Sequence, residues 1–472
     1  MIDKIDSVAL AIYDFLFNTT YIAPALLILA GIYFTIRLGL PQFRLFGESI
    51  KVVSEKPKNK DGISSFGALM VSTASRVGTG NIIGVSTAIC VGGFGAIFWM
   101  WITAILGGAS SFVESTLAQI YKKKDKDGTY YGGPSYYMQD ALKQRWLGVI
   151  FAIALILTYA VGYNMLAAYN TKTAFSGFSF YDEKVTSIIV GAVLAILFAA
   201  VVLGGAKRLT KVTGVLVPIM GVLYIVVSLV VIVLNAKNIP FVFKSIFVSA
   251  FDFKAIFGGF AGSCILWGIK RGLYSNEAGM GSAPNAAATA DVSHPAKQGL
   301  VQMLSVFIDT LLICSATALM CMCANPNGLD EAVKGAPYVQ QSMGMALGNF
   351  GPIFVAVALC LFAFTTLIGN FYYCEGCLKF ILKREPSKIG LLVFRIVACA
   401  LVFCGCIITT DLAWDAADAL QGIMVLINIP VILILSKPAI KALKDYTKQR
   451  KEGKNPEFKA ADIGLTNTEC WK

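Results

Sequence analysis

The sequence predicts an all-α polytopic membrane protein with about eleven transmembrane helices, two of them broken. The first observation is the composition, since 56% of the 472 residues are hydrophobic and only 14% are charged. Soluble domains carry about a quarter charged residues. The second is a series of apolar runs of about 20 residues, the length that crosses a bilayer as a helix. The third is that two of these runs contain glycine-rich interruptions, near residues 76–81 and 267–281.

The apolar runs define eleven predicted spans. They cover residues 21–40, 67–90, 94–121, 147–170, 186–203, 212–234, a seventh that begins near Gly258, 298–323, 352–381, 389–408 and 414–435. An amphipathic stretch at 239–257 separates the sixth span from the seventh. The first 18 residues are acidic and lack the basic start of a secretory signal, so we expect no cleavable signal peptide.

The net charge of +12 lies in the loops between these spans. Basic residues follow the first, third, fifth, ninth and eleventh spans, and the other side carries acidic residues, among them Asp182, Glu183, Asp330, Glu331 and Asp411. Basic loops are typical of the cytoplasmic face. We therefore expect a multi-pass protein of the plasma membrane with its N-terminus outside and its C-terminus in the cytoplasm. Because the lysines form no single patch, we expect the lipid bilayer as surroundings and no nucleic-acid partner.

The interruption of the second span is the most informative stretch of the chain. Gly78 and Gly80 flank Thr79, and each glycine costs a helix about 1 kcal/mol relative to alanine. Irregular backbone at membrane depth is tolerated only where it is buried in protein or lines a polar site. The two half-helix ends suit a small zwitterion together with a metal cation, as in many secondary transporters. The alternative is a continuous helix whose glycines admit a close neighbour.

The second and seventh spans are both interrupted, start five spans apart and are expected to cross in opposite directions. Two five-helix units related by inversion would give this spacing. We therefore expect four parts: an N-terminal helix with its loop at 1–65, a first repeat at 66–236, a second repeat at 237–436 and a basic cytoplasmic tail at 437–472.

A specific motif lies at the start of the third span, where residues 92–107 read GGFGAIFWMWITAILG. This stretch resembles the signature of the alanine/glycine:cation symporter family, also called sodium:alanine symporters or amino-acid carrier proteins. Residues 78–85, 275–279 and 309–310 are similar to the same family. The resemblance covers every span and leaves only the C-terminal tail as an ordinary extension. It implies a LeuT-type five-plus-five inverted repeat with an extra N-terminal helix, and uptake of small neutral amino acids with sodium.

Residues 77–81 are further similar to the unwound segment of the first core helix in LeuT-type neurotransmitter:sodium symporters. By that match, the N–H groups of Thr79 and Gly80 hold the substrate carboxylate. The carbonyl groups of Ala74 and Val77 are implied as sodium ligands.

Further oxygen ligands are expected from the eighth and ninth spans. Thr365 and Thr366 supply paired hydroxyls at the depth where a LeuT-type fold has its second sodium site, unless each hydroxyl bonds back to its own helix. Asp309 lies eleven residues into the eighth span, where a charged carboxylate is costly unless it is paired or coordinated. It could ligate a second cation, carry a proton, or pair with Lys270 or Arg271.

The pocket for the substrate side chain is predicted from the fourth and seventh spans. Trp267, Gly268 and Ile269 precede the second interruption, and Asn164 lies in the fourth span. A tryptophan beside the break would leave room only for a methyl group or a hydrogen, which matches alanine or glycine. The alternative is that Trp267 packs in the core or faces lipid. Asn81 is expected to brace the first break or to meet substrate and ion.

Four buried charges are expected near the cytoplasmic vestibule. Arg76 departs from the LeuT-type pattern, in which a small residue is usual, and we expect it to point to this vestibule. Glu114 and Glu277 are expected as gate partners of Arg76 and Arg271.

Other classes of protein are disfavoured. The chain has no phosphate-binding G-x-x-x-x-G-K-[ST] motif, and its one histidine, His294, supports neither a catalytic triad nor a zinc site. Most of the 12 cysteines lie in apolar runs, where cysteine behaves as a small hydrophobe. We expect a carrier and not an enzyme, with a proton-coupled or glutamine-preferring carrier of the same fold, or an ion channel, as alternatives. Nothing in the sequence indicates an oligomeric state.

Overall fold

The computed structural model describes residues 2–57, 59, 62–126, 128–252, 259, 263–328, 333–408 and 410–471. The predicted start of the seventh span near Gly258 and the loop carboxylates Asp330 and Glu331 lie outside these residues, as does the side chain of Asp411. Helices make up nearly all of the described regular structure, together with one two-stranded antiparallel hairpin. The all-α class is therefore confirmed.

The first half of the chain contains thirteen α-helices and the hairpin. They are α1 (Ile2–Tyr13), α2 (Ile22–Arg37), α3 (Pro41–Arg44), α4 (Phe46–Val53), α5 (Ser65–Arg76), α6 (Ile83–Gly92), α7 (Gly95–Ile120), β1 (Lys123–Lys124), β2 (Tyr130–Tyr131), α8 (Pro134–Asp140), α9 (Arg145–Ile156), α10 (Asn164–Thr173), α11 (Glu183–Val202), α12 (Gly205–Leu234) and α13 (Ile239–Ala250). A π-helical turn at Leu157–Tyr163 joins α9 to α10, and another at Asp14–Thr19 follows α1.

The second half continues with nine described α-helices. They are α14 (Cys264–Asn276), α15 (Pro284–Thr289), α16 (Pro295–Val306), α17 (Ser315–Ala324), α18 (Ala336–Leu347), α19 (Phe350–Leu382), α20 (Lys388–Gly405), α21 (Thr410–Ile434) and α22 (Ser436–Lys451). A π-helical turn at Phe307–Cys314 joins α16 to α17.

Eight helical segments within the described residues are long and apolar enough to cross a membrane. A ninth is formed if the pair Asp6–Thr19 and Ile22–Arg37, bent by 50°, is one span. The two glycine-interrupted spans are each split into short helices, α5 with α6 and α14 with α15. The predicted total of eleven membrane spans stays a prediction. The apolar helix before residue 20 was not predicted.

Helix α7 lies at the centre of the bundle, where it packs against α2, α14, α15 and α16. Its inner half is buried on all sides and carries polar residues, including Ser111, Glu114 and Gln119. The periphery is apolar, as expected for lipid contact. Exposed side chains there include Ile188, Ile196, Val222, Val233 and Ile389.

The glycines of the 92–107 motif allow backbones to meet. A Cβ added to Gly92 would lie 2.7 Å from the Cβ of Trp267, and one added to Gly95 would lie 2.4 Å from the backbone nitrogen of Ala250. The indole N–H of Trp99 donates to the carbonyl of Ala250 at 3.1 Å. The motif therefore holds α13 against the start of α7.

This packing gives the first prediction. Gly95→Ala should lower the melting temperature of the purified protein, because the backbone of α13 cannot move aside as a side chain would, and overpacking costs about 1–3 kcal/mol. Gly221→Ala is the matched control, since a Cβ there meets no atom within 4 Å. Equal melting temperatures for the two variants would contradict this account of the motif.

Candidate functional site

The break in the second span is braced by one amide side chain. Helix α5 ends at Arg76, Gly78 is extended with φ −138° and ψ −156°, and a single 3₁₀ turn covers Thr79–Asn81. The side-chain oxygen of Asn81 accepts the N–H of Gly78 at 2.8 Å. Asn81 therefore satisfies a backbone donor that the break leaves without a helical partner.

The other side of the same amide reaches Asp309. Its nitrogen donates to the Asp309 carboxylate at 2.7 Å, and the second carboxylate oxygen accepts the hydroxyls of Ser275 at 2.7 Å and Thr310 at 2.8 Å. Among the described residues Asp309 forms no ion pair, so the alternative of a pairing with Lys270 or Arg271 is not observed. A cation site or a proton site remains for this carboxylate.

Helix α19 packs directly on the break. A Cβ added to Gly78 would lie 2.2 Å from the hydroxyl oxygen of Thr366, and one added to Gly369 would lie 3.0 Å from the carbonyl carbon of Ala74. The Thr366 hydroxyl is buried without a hydrogen-bond partner among the described residues. Oxygen from Thr366 therefore faces the stretch that contains Ala74 and Val77. These groups fit a sodium ion, which prefers oxygen ligands.

Thr365 lies on a different side of the same helix. Its hydroxyl donates to the carbonyls of Leu361 at 3.2 Å and Phe362 at 3.1 Å and lies 3.4 Å from the sulfur of Met220 on α12. The expected pair of sodium-ligating hydroxyls is therefore not brought together. Thr365 thus follows the alternative in which the hydroxyl bonds back to its own helix. The two threonines face different sides because adjacent helical residues point about 100° apart.

The predicted substrate-binding residues Thr79 and Gly80 lie under two side chains that the sequence did not indicate. Asn170 of α10 donates its amide to the Thr79 hydroxyl at 2.9 Å. The ring of Tyr274 lies 2.7 Å from a Cβ built on Gly80. Tyr274 also packs edge-on against Tyr163, with ring centroids 4.9 Å apart.

The expectation that Trp267 stands beside the break is wrong. Helix α14 runs on to Asn276 and breaks at Glu277, ten residues after Trp267. Trp267 packs against Gly92, twelve residues or about 18 Å of helix beyond Gly80. The prediction that Gly268 and Ile269 lie beside the break is wrong for the same reason. A Cβ on Gly268 would meet α7 at 2.6 Å, and Ile269 is buried in α14 well before its end.

Asn164 contacts α19 and not the break itself. Its side-chain oxygen accepts the Asn370 amide at 2.9 Å, and the Asn370 oxygen accepts the Ser75 hydroxyl at 2.6 Å. Ser75 also lies 2.8 Å from the carboxylate of Glu277. These four polar side chains link α10, α19, α5 and the second break, so the breaks are connected to each other through side chains.

The four buried charges make direct contacts other than those predicted. The Arg76 guanidinium lies 3.2 Å from the Gln302 carbonyl and 3.3 Å from the Ser111 hydroxyl. Glu114 accepts the Gly279 N–H at 3.3 Å and the Asn428 amide at 2.8 Å. Both therefore bind polar neutral groups, and Arg76 is buried and does not open onto a vestibule.

Arg271 pairs with Asp418 of α21 at 2.6 Å, not with Glu277, and both side chains are buried. Its guanidinium also lies over the rings of Trp414, at 4.4 Å, and Trp267, at 5.2 Å. The ammonium of Lys270, one residue earlier, contacts the hydroxyl of Tyr13 in α1. We call Arg271, Asp418 and the two tryptophans the ion-pair gate.

A cavity of about 670 Å³ opens on the opposite side of the breaks from this gate. Loops from three basic stretches of the chain meet around it, and we call this side the basic face. The lining residues include Gly67, Tyr130, Tyr131, Lys207, Lys211, Asn285, Thr289, Tyr372 and Lys379. The lining reaches Tyr372, six residues or about 9 Å of helix from Thr366. The lining includes none of the residues of the first break, so the cavity stops short of Gly78 and Thr79.

A profile of the sodium:alanine symporter family matches residues 2–460. The chain belongs to this family. The amino-acid carrier protein AlsT of Bacillus subtilis is 46% identical over 95% of this chain and 94% of its own length. The probable sodium/glutamine symporter GlnT of the same organism is 43% identical, over 94% and 92%. The sodium/alanine symporter AgcS of Methanococcus maripaludis is 39% identical, over 91% and 95%.

Solved structures show the fold. The crystal structure of MhsT in complex with L-phenylalanine superimposes with a TM-score of 0.56 at 15% identity, covering 82% of this chain and 93% of that one. A manganese transporter of Eremococcus coleocola gives a TM-score of 0.51 at 16% identity, covering 85% and 84%. The LeuT-type fold predicted for this symporter-family chain is confirmed.

Sequence reasoning missed several residues of the site. Asn170 and Asp418 lie within long apolar helical segments, and intramembrane polarity was the available signal for them. Tyr274 lies in the interrupted stretch, two residues after Gly272. The sequence does not indicate that it reaches Gly80, which follows from the position of the break at Glu277.

The ion-pair gate gives the second prediction. Asp418→Asn should lower the melting temperature strongly, because it leaves the Arg271 charge buried without its partner, and breaking such a pair costs about 3–5 kcal/mol. The double variant Arg271→Gln with Asp418→Asn should recover more than half of that loss. A double variant as unstable as the single one would show that the charge pair is not the reason.

Proposed function

We propose that the chain is a secondary active symporter that imports small neutral amino acids, alanine or glycine, together with sodium by alternating access. The observation that carries this proposal is the unpartnered Thr366 hydroxyl against the break at Gly78. A buried polar atom without a partner costs about 1–3 kcal/mol unless a ligand satisfies it. A hydroxyl and free backbone carbonyls are the groups that sodium binds.

Each part of the site has a role in this mechanism. The N–H groups of Thr79 and Gly80 bind the substrate carboxylate, and Asn170 fixes the Thr79 hydroxyl next to them. The carbonyls of Ala74 and Val77 with the hydroxyl of Thr366 bind sodium. A sodium ion bound there brings positive charge to the break and couples substrate uptake to the sodium gradient.

Selectivity for a small side chain is assigned to Tyr274 in place of Trp267. The Tyr274 ring lies against Gly80, supported by Tyr163 and by Trp414 with ring centroids 5.3 Å apart. Because a hydrophobic pocket separates substrates that differ by one methylene by only about 1–3 kcal/mol, such a site accepts both glycine and alanine. Larger side chains are excluded by the ring.

Asp309 with Asn81 and Ser275 forms a second cation or proton site. One relative, YrbD of Bacillus subtilis, is named a putative sodium/proton-dependent alanine carrier and is 42% identical. Proton coupling through Asp309 is therefore the alternative to a second sodium ion. Glutamine is the alternative substrate, supported by the similarity to GlnT.

The proposal includes the orientation of the chain in the membrane and its division into two repeats. The basic face is cytoplasmic in the plasma membrane, by the distribution of lysine and arginine, with the N-terminus outside. The ion-pair gate is then extracellular, and residues 66–236 and 237–436 form the two inverted repeats. The cavity then lies on the cytoplasmic side of the breaks.

Uptake by purified protein in liposomes tests the function. Alanine, glycine and glutamine should be offered under imposed sodium or proton gradients, with counterflow of labelled substrate to separate a carrier from a channel. Accumulation of alanine or glycine driven by sodium is the expected result. Accumulation by a proton gradient alone, or of none of the three amino acids, would overturn the proposal as stated.

The third prediction uses the two adjacent threonines as a matched pair. Thr366→Val should raise the sodium concentration for half-maximal uptake by about tenfold, equivalent to about 1.4 kcal/mol, since it removes the unpartnered hydroxyl. Thr365→Val should shift this concentration by less than about twofold, because among the described residues that hydroxyl bonds to its own helix and to Met220. Equal shifts for the two variants would remove Thr366 from the sodium site.

A further inference from the structure

The tail that the sequence left as an ordinary extension is tied to the membrane helices. We call residues 455–471 the strap. The Phe458 N–H donates to the Ser293 carbonyl at 3.0 Å, and the Ser293 hydroxyl donates to the Pro456 carbonyl at 2.7 Å. Further along, the indole N–H of Trp471 donates to the Gln119 carbonyl at 2.7 Å. The strap thus runs from the start of α16 to the end of α7.

The sole histidine fixes the first attachment. His294 Nδ1 accepts the N–H of Ala296, which can only donate, so Nε2 carries the proton and donates to Asp445 of α22 at 3.2 Å. Burial lowers the pKa of His294, although the hydrogen bond to Asp445 opposes this. The imidazole also packs edge-on against Tyr446 and Phe458, each with centroids 5.1 Å away. A neutral His294 therefore joins α16, α22 and the strap.

The second attachment is to the hairpin formed by β1 and β2. The Lys122 ammonium lies 3.9 Å from the ring centroid of Tyr130 and 4.8 Å from that of Trp471. Glu469 binds the Lys123 ammonium at 3.2 Å and the Lys124 N–H at 3.2 Å. The base of the hairpin is thus held by the strap.

The tip of the hairpin crosses to the opposite wall of the cavity. Asp125 pairs with Lys379 of α19, whose ammonium also lies 3.6 Å from the ring centroid of Tyr131. Tyr130, Tyr131 and Lys379 all line the cavity. The side chains of Lys379 and Asp125 are 16% and 25% exposed, so solvent reaches this pair in part. Trp471 at the base is buried, so the tip is the weaker of the two attachments.

We propose that the strap positions the hairpin as the movable gate of the cavity at the basic face, and that Trp471 is the anchor of this strap. The proposal rests on the transport function given above. The gate opens by release of Asp125 from Lys379 while the base of the hairpin stays attached to α7. Without the anchor, the hairpin keeps the bond from the Lys122 ammonium to the Ala290 carbonyl at 3.0 Å but loses its contacts with the strap, and the cavity opens more readily.

The test uses Trp471→Ala in the full-length chain, with Trp146→Ala as the matched control. Trp146 is 62% exposed, and its indole bonds only to Gln144. Trp471→Phe keeps an aromatic ring for Lys122 and Phe458, and its hydrogen-exchange rates should lie nearer to those of the wild type. Hydrogen exchange of the amides in residues 121–134 is measured first, because it needs no transport.

We expect Trp471→Ala to exchange these amides faster by about fivefold or more, at the low end of couplings between protein sites. Efflux of preloaded alanine without sodium should rise by about the same factor, with the alanine dissociation constant changed less than about twofold. Unchanged hydrogen exchange would overturn the positioning role. Faster exchange with unchanged efflux would show a merely structural strap. If the wild type moves neither alanine nor glycine, the function fails, while hydrogen exchange still decides whether the strap holds the hairpin.

Discussion

The fold depends on satisfying broken backbone inside a bilayer, where no water is available to do so. The side chain of Asn81 meets this requirement at the first break, with its oxygen on Gly78 and its nitrogen on Asp309. At the second break the Glu114 carboxylate accepts the N–H of Gly279, while Asn428 donates to the carbonyl of the same glycine at 2.9 Å. Polar side chains thus replace the missing helical bonds, and their positions determine which helices must pack together.

The distribution of buried charge follows from the same constraint. On the side of the ion-pair gate, Arg271 has a carboxylate partner. Nearer the basic face, Glu114 and Glu277 accept hydrogen bonds from neutral donors, and Arg76 is within 4 Å of no described carboxylate. The centre of the molecule therefore holds more acidic than basic side chains without direct ion pairs. This imbalance suits a protein that binds a cation from one side and releases it to the other.

Much of the architecture could be predicted because apolar run length alone determines membrane spans. The predicted span at 352–381 became Phe350–Leu382, and that at 186–203 became Glu183–Val202. The first break was found because two glycines mark it. The second interruption was predicted within 267–281, and the break lies in the last part of that stretch. Glycines at 268 and 272 serve close packing on α7, and the chain turns at Glu277, with φ 55°.

Which side of a helix a residue faces could not be predicted. Thr365 and Thr366 are equivalent in sequence, yet only one faces Gly78, because the rotation of α19 is set by contacts such as Gly369 against Ser75. Asp418 was not predicted as a site residue, yet it lies in a buried pair with Arg271. Pairings of this kind depend on residues more than a hundred positions apart, and a single sequence carries no signal for them.

The position of the strap along the chain has a consequence for biogenesis. The residues that anchor it, from Phe458 to Trp471, are translated after α7, α16 and the hairpin, and domains assemble in the order of synthesis. These elements can therefore insert and pack while the surface that receives the strap is still bare. Docking of the strap follows their packing, and a chain whose spans are wrongly inserted would lack the paired sites at Gln119 and Ser293 that receive it.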